Sequence, residues 1–105
     1  MSCQKKVGLA RALATQPDLL MLDEMASELD TKETEEMMAL MKKVHDDKEI
    51  TLFLIEHALE QVMPISQRVI VLDGGEKIAE GHPEEVVKNE RVIKAYLDEK
   101  RNRGL

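Results

Sequence analysis

The chain has 105 residues, a length that admits one small domain, and its 15 basic and 21 acidic residues give a formal charge of −6. That balance offers no footprint for nucleic acid, and a content of 43% hydrophobic and 34% charged residues excludes a disordered tail. A single cysteine excludes an internal disulfide and a cysteine-built zinc site. No apolar run reaches the ~18 residues of a membrane span and no apolar signal core opens the chain, so the expectation is a soluble cytosolic protein.

With one Phe, one Tyr and no Trp, the core must be built from Leu, Val, Ile and seven adaptable Met. In chain order, "VGLARALATQ" reads as a helix with Val7, Leu9, Ala10 and Leu13 on one face, closed by Pro17. Lys5, Lys6 and Arg11, like Lys100, Arg101 and Arg103, read as solvated helix faces, and Cys3 as an inert small residue. "LLML" is short and wholly apolar, which favours a buried strand. A long helix starts at Asp30 or Thr31, with Met37, Met38, Met41 and Val44 at helical spacing, acids in the first turn and Lys42 and Lys43 near the end. "ITLFLI", Ile50 to Ile55, is apolar on both alternating sets, the pattern of a parallel strand covered on both faces.

A short helix over "HALEQVMPIS" is ended or bent by Pro64. Val69–Leu72 and Lys77–Ala79 read as strands joined by the tight turn Asp73-Gly74-Gly75. His82-Pro83 starts a helix over "EEVVKN", and a last helix runs from about Arg91 to Arg101 with Val92, Ile93, Tyr96 and Leu97 apolar. The order α-β-α-β-α-β-β-α-α is that of an α/β chain, expected as a single domain over 1–105.

Two apolar strands end on polar pairs, Asp23-Glu24 and Glu56-His57. Strands joined through a helix are normally parallel, so both pairs belong on one rim, where open α/β sheets bind ligands. Two acids and an imidazole there suit a metal and an oriented water. An Asp in that position is a natural Mg²⁺ ligand, and a neighbouring Glu can polarise a water. Each residue also has a plainer role: Asp23 begins a turn, Glu56 makes a solvated or helix-start contact, His57 caps the next helix. His45 and His82 lie in polar contexts and read as surface residues.

At these residues the sequence resembles the second half of an ATP-binding cassette ATPase. "LLMLDE" matches the Walker B strand, "ASELD" the D-loop and "LFLIEH" the strand carrying the switch histidine. "ARALATQPDLLMLDE" is similar to the family's run from signature helix to Walker B. The tail "RVIVLDGGEKIAEGHPEEVVKNERVIKAYL" most resembles the ATP-binding subunits of bacterial branched-chain amino-acid transporters. The resemblance covers essentially the whole chain and implies part of a P-loop NTPase-like sheet, parallel strands plus a C-terminal β-hairpin, flanked by helices. It implies that Asp23 binds Mg²⁺ largely through water, that Glu24 is the general base and that His57 contacts the γ-phosphate of ATP. Ser27 and Asp30 would be D-loop positions touching a partner subunit. The implied setting is a homo- or hetero-dimer of ATPase domains on membrane-embedded transporter subunits, cytoplasmic and peripheral to the inner membrane, with no nucleic acid.

Departures from the family are equally legible. The chain contains no G-x-x-x-x-G-K-S/T and no Q-loop. Where the family reads LSGGQ, this chain begins "MSCQKK"; an ungapped alignment on "ARA" keeps neither the Gly nor the Gln, and a gapped one matches Ser2 and Gln4. Met25 stands where Pro usually follows the Glu. The isolated chain is therefore expected to be inactive as an ATPase, whatever the parent activity in amino-acid import. The alternative is a non-catalytic assembly module that associates through the exposed edge and face of a halved sheet.

Overall fold

The computed structural model describes residues 3–57 and 59–102. The chain separates into two units, Met1–Ile65 and Ser66–Leu105.

In the first unit, helix α1 (Cys3–Ala14) lays Leu9 into the core, with Ala12 and Leu13 packed beside it. The apolar face is narrower than the one expected from Val7, Leu9, Ala10 and Leu13. Val7 is 55% exposed and Ala10 is exposed, because they stand about 200° and about 100° around the helix from Leu9. Strands β1 (Leu19–Asp23) and β2 (Thr51–Ile55) pair in parallel, from Leu19 opposite Thr51 to Asp23 opposite Ile55. Between them runs α2 (Thr31–Lys48), the crossover that parallel pairing demands. Its start is a capping box: Glu33 N–H donates to Asp30 Oδ1 at 2.7 Å and Asp30 N–H to Glu33 Oε1 at 3.4 Å. Met37, Met38, Met41 and Val44 are buried, as their spacing requires, and form one cluster with Leu9, Leu20, Leu22 and Ile50.

The cluster covers one face of the parallel pair. Leu20 and Leu22 are buried and Leu52 and Leu54 half-buried, whereas Leu19, Met21, Phe53 and Ile55 are between 46% and 65% exposed. The expectation of a strand covered on both faces is thus corrected: among the described residues one layer of helices covers one face, and Leu19, Met21, Phe53 and Ile55 on the other are exposed. Glu49 ends α2 in the left-handed conformation, its N–H donating to His45 O at 3.0 Å. His45 is not the plain surface residue expected. Half-buried, it places Nδ1 2.7 Å from Ile50 O and ties the helix end to the residue just before β2. After β2, α3 (Leu59–Val62) runs into a 3₁₀ turn (Met63–Ile65) that contains Pro64, and Val62 and Ile65 pack against the cluster.

The second unit carries β3 (Val69–Asp73) and β4 (Glu76–Gly81), an antiparallel hairpin with Asp73 opposite Glu76. Gly74 (φ 58°) and Gly75 (φ 81°) both take positive φ, as a two-residue primed turn needs. Among the described residues the hairpin is its own two-stranded sheet, separate from β1–β2. Helix α4 (Pro83–Val86) follows, with His82 exposed at its N-cap. Helix α5 (Glu90–Asn102) is capped by Asn89, whose Oδ1 accepts from Arg91 N–H at 2.8 Å and Val92 N–H at 3.2 Å. Val86 and Val92 are buried; Ile93 and Leu97 are exposed.

Candidate functional site

The parallel register brings the carboxyl ends of β1 and β2 level. Glu24 N–H continues the ladder, donating to Ile55 O at 2.8 Å. From these adjacent ends Glu24 Oε1 and His57 Nε2 meet at 2.6 Å. An ionised carboxylate is acceptor-only, so the imidazole N–H is the donor. Both side chains are about half exposed, which leaves the pair open to water and solutes. Asp23 is exposed at the end of β1, opposite Ile55. Among the described residues no group of three His, Cys, Asp or Glu side chains could hold a metal by itself.

The chain turns sharply after the strand. Glu24 sits at φ 53° and Glu28 at φ 67°, the left-handed region that costs a side-chain-bearing residue about 1–3 kcal/mol unless its surroundings enforce it. Several bonds do so. Ser27 N–H donates to Glu24 O at 3.1 Å and Leu29 N–H to Ala26 O at 3.2 Å. Glu56 Oε1 accepts from Ala26 N–H at 3.3 Å. Lys5 Nζ donates to Met25 O at 2.8 Å and also to Ser27 O. At the far end of the loop, Asp30 caps α2. Burial holds the Glu56 carboxyl above its ordinary range; the amides of Ala26 and Met25, the Lys5 ammonium and His57 act the other way.

The structure brings Glu24 and His57 into contact, with Asp23 beside Glu24 in sequence and Ser27 within the turn. Asp30 spends its side chain on the helix cap. Gln4 lies apart from these contacts, exposed on α1, where it lines an open depression with Val7, Gly8 and Arg11. Ser2 lies outside the described residues. Lys5 and Glu56 were the residues undervalued by sequence reasoning. Glu56 extends the covered alternation of Leu52 and Leu54, and Lys5 precedes buried Leu9 by one helical turn. Both signals are periodic, and both were outweighed by the general behaviour of charged side chains.

A family model described as "Branched-chain amino acid ATP-binding cassette transporter" matches residues 76–97. The chain is 43% identical over 96 residues to the high-affinity branched-chain amino acid transport ATP-binding protein BraF of Pseudomonas aeruginosa, a match covering 91% of this chain and 38% of that protein. It is 44% identical over 96 residues to LivG of Salmonella typhimurium, described in the same words, with the same coverage. Among solved structures it resembles cbiO1 of Clostridium perfringens, part of the ABC transporter complex cbiONQ, with a TM-score of 0.76 and 30% identity, over 90% of this chain and 38% of that one. The chain thus spans about two-fifths of the length of the curated relatives it matches.

Proposed function

We propose that the chain belongs to the ATP-binding cassette ATPases and that residues 1–105 are the C-terminal portion of a nucleotide-binding domain, the part that supplies the hydrolytic base and the switch histidine. The parent activity is ATP hydrolysis coupled to import of branched-chain amino acids, on membrane-embedded subunits and with a second ATPase domain as partner. Its place is the cytoplasmic side of the inner membrane; no helix among the described residues is long and apolar enough to cross a membrane.

The observation that carries this reading is the 2.6 Å contact between Glu24 and His57 across two parallel strand ends. A carboxylate has two oxygens, so Glu24 can hold the imidazole with one and orient the attacking water with the other. His57, held by that bond, would bear on the terminal phosphate. The exposed Asp23 fits Mg²⁺, a hard cation content with one or two carboxylates when water and phosphate oxygens complete its shell. When bound, the ion neutralises charge on the transferring phosphoryl group. Ser27, exposed in the turn after Glu24, would contact the partner domain.

The 105 residues contain no G-x-x-x-x-G-K-S/T, so the phosphate cradle must come from other residues. The chain alone is expected to show no ATP turnover; turnover that Glu24→Gln abolishes would overturn this. Residues from Lys5 onward, grafted in place of the matching stretch of BraF, are expected to support hydrolysis. In that chimera Glu24→Gln should lower turnover by about 10²–10⁴-fold, and an unchanged rate would remove Glu24 from the mechanism. A second reading, an assembly module, is favoured by the exposed Leu19, Met21, Phe53 and Ile55. It predicts self-association of the chain in sedimentation; a lone monomer at high concentration counts against it.

A further inference from the structure

We propose that Lys5 and Glu56 are positioning residues that clamp the loop between β1 and α2 and thereby hold the Glu24 carboxylate against His57. The inference deepens the reading of Glu24 as the hydrolytic base and rests on it. Neither residue touches a reacting group. Each acts on the peptide groups that immediately follow Glu24.

The backbone of Glu24 is left-handed, at φ 53°. A carboxylate-bearing residue does not rest there without support from outside. The support comes from two elements. Lys5, on α1 one turn before buried Leu9, donates from one ammonium to two loop carbonyls, Met25 O and Ser27 O. Glu56, the next residue after Ile55 of β2, presents Oε1 to Ala26 N–H. Donor and acceptor sides of three successive residues are thus fixed by ionised side chains, the stronger class of hydrogen bond. The turn closes on itself through Ser27 N–H and Glu24 O. Since Glu24 N–H is fixed to Ile55 O, the clamp leaves its side chain one direction to leave the backbone, toward His57.

The charged groups facing Glu56 are Lys5 from α1 and His57 from its own segment, with Glu24 held on that imidazole. Removing the Lys5 charge therefore alters both the loop and the ionisation of Glu56.

The test is amide hydrogen exchange and pH titration by NMR on the 105-residue chain, with no nucleotide present. Lys5→Met keeps the stem and removes the charge. Exchange at Ala26 and Ser27 is expected to accelerate about tenfold or more, while Leu22 and Leu54 in the β1–β2 ladder keep their rates; Lys5→Arg should restore protection. The Ala26 amide shift is expected to follow Glu56 ionisation, with a midpoint that Lys5→Met raises and Lys5→Arg returns, a response that a purely space-filling role would not produce. Unchanged loop exchange, or ladder amides accelerating by the same factor, overturns the clamp. Should Lys5→Met fail to fold, Glu56→Ala decides: Ala26 exchange is expected to rise about tenfold, and an unchanged rate overturns the proposal. Because no turnover is measured, failure of the clamp and failure of the BraF chimera are separate results.

Discussion

The two units of this chain reach stability by different routes. Of the buried apolar residues, Leu9, Leu20, Leu22, Met37, Met38, Met41, Val44 and Ile50 all belong to Met1–Ile65, where a helix-covered parallel pair needs partners distant in sequence. Ser66–Leu105 has Val86 and Val92 buried, while Ile70, Leu72, Ile93 and Leu97 stay exposed. Its order comes from local devices: a glycine turn, a proline helix start and an asparagine cap. The proposed chemistry sits in the unit with the non-local core. Only a parallel register brings two strand ends to one rim, and only a packed layer makes that register rigid.

The largest effect expected to test this contrast is truncation of Met41, which is 1% exposed and central to the cluster. Met41→Ala should cost about 2–5 kcal/mol in urea unfolding, since a methionine-sized cavity collapses only in part. In the hairpin, Gly75 takes φ 81° and an added Cβ would meet nothing within 4 Å, so the cost of Gly75→Ala is conformational alone. It should be about 1–2 kcal/mol, read from amide exchange across β3–β4. If Gly75→Ala costs as much as Met41→Ala, the contrast between non-local packing and local turn chemistry breaks.

The smallest effect belongs to Glu56, and its direction sharpens the comparison. Desolvation raises its folded pKa above the unfolded value. Between those two values the folded state binds more protons than the unfolded one, so stability falls as pH rises through that window and is higher on its acid side. Glu56→Gln should flatten this dependence in urea midpoints measured across the carboxylate range. A midpoint that rises with pH over that window would show that the loop hydrogen bonds outweigh burial.

Much of the site was legible before any coordinates. The apolar runs ending on Asp23-Glu24 and Glu56-His57, with a helical pattern between them, implied parallel strands and one shared rim. The Glu24–His57 contact at 2.6 Å agrees with that geometry. Misreadings arose where one residue's environment depends on another element. The grouping of Val7 with Leu9, Ala10 and Leu13 on one helix face fails for Val7, whose angle around α1 turns it to solvent. His45 was judged by its polar neighbours, although it reaches Ile50 O at the strand entry. Lys5 was counted with the solvated charges, although its ammonium finds two loop carbonyls.

Sequence by itself determined what periodicity and turn chemistry can encode: the order of elements, the methionine face of α2, its start at Asp30 or Thr31, and the Gly74-Gly75 hairpin. These depend on neighbours a few residues away, whose spacing the chain states directly. Tertiary structure alone decided that Leu19, Met21, Phe53 and Ile55 face outward, that Glu24 takes a left-handed backbone, and that Lys5 and Glu56 secure the turn behind it. Those outcomes join residues some 20–30 positions apart, and only folding brings such groups within hydrogen-bonding distance.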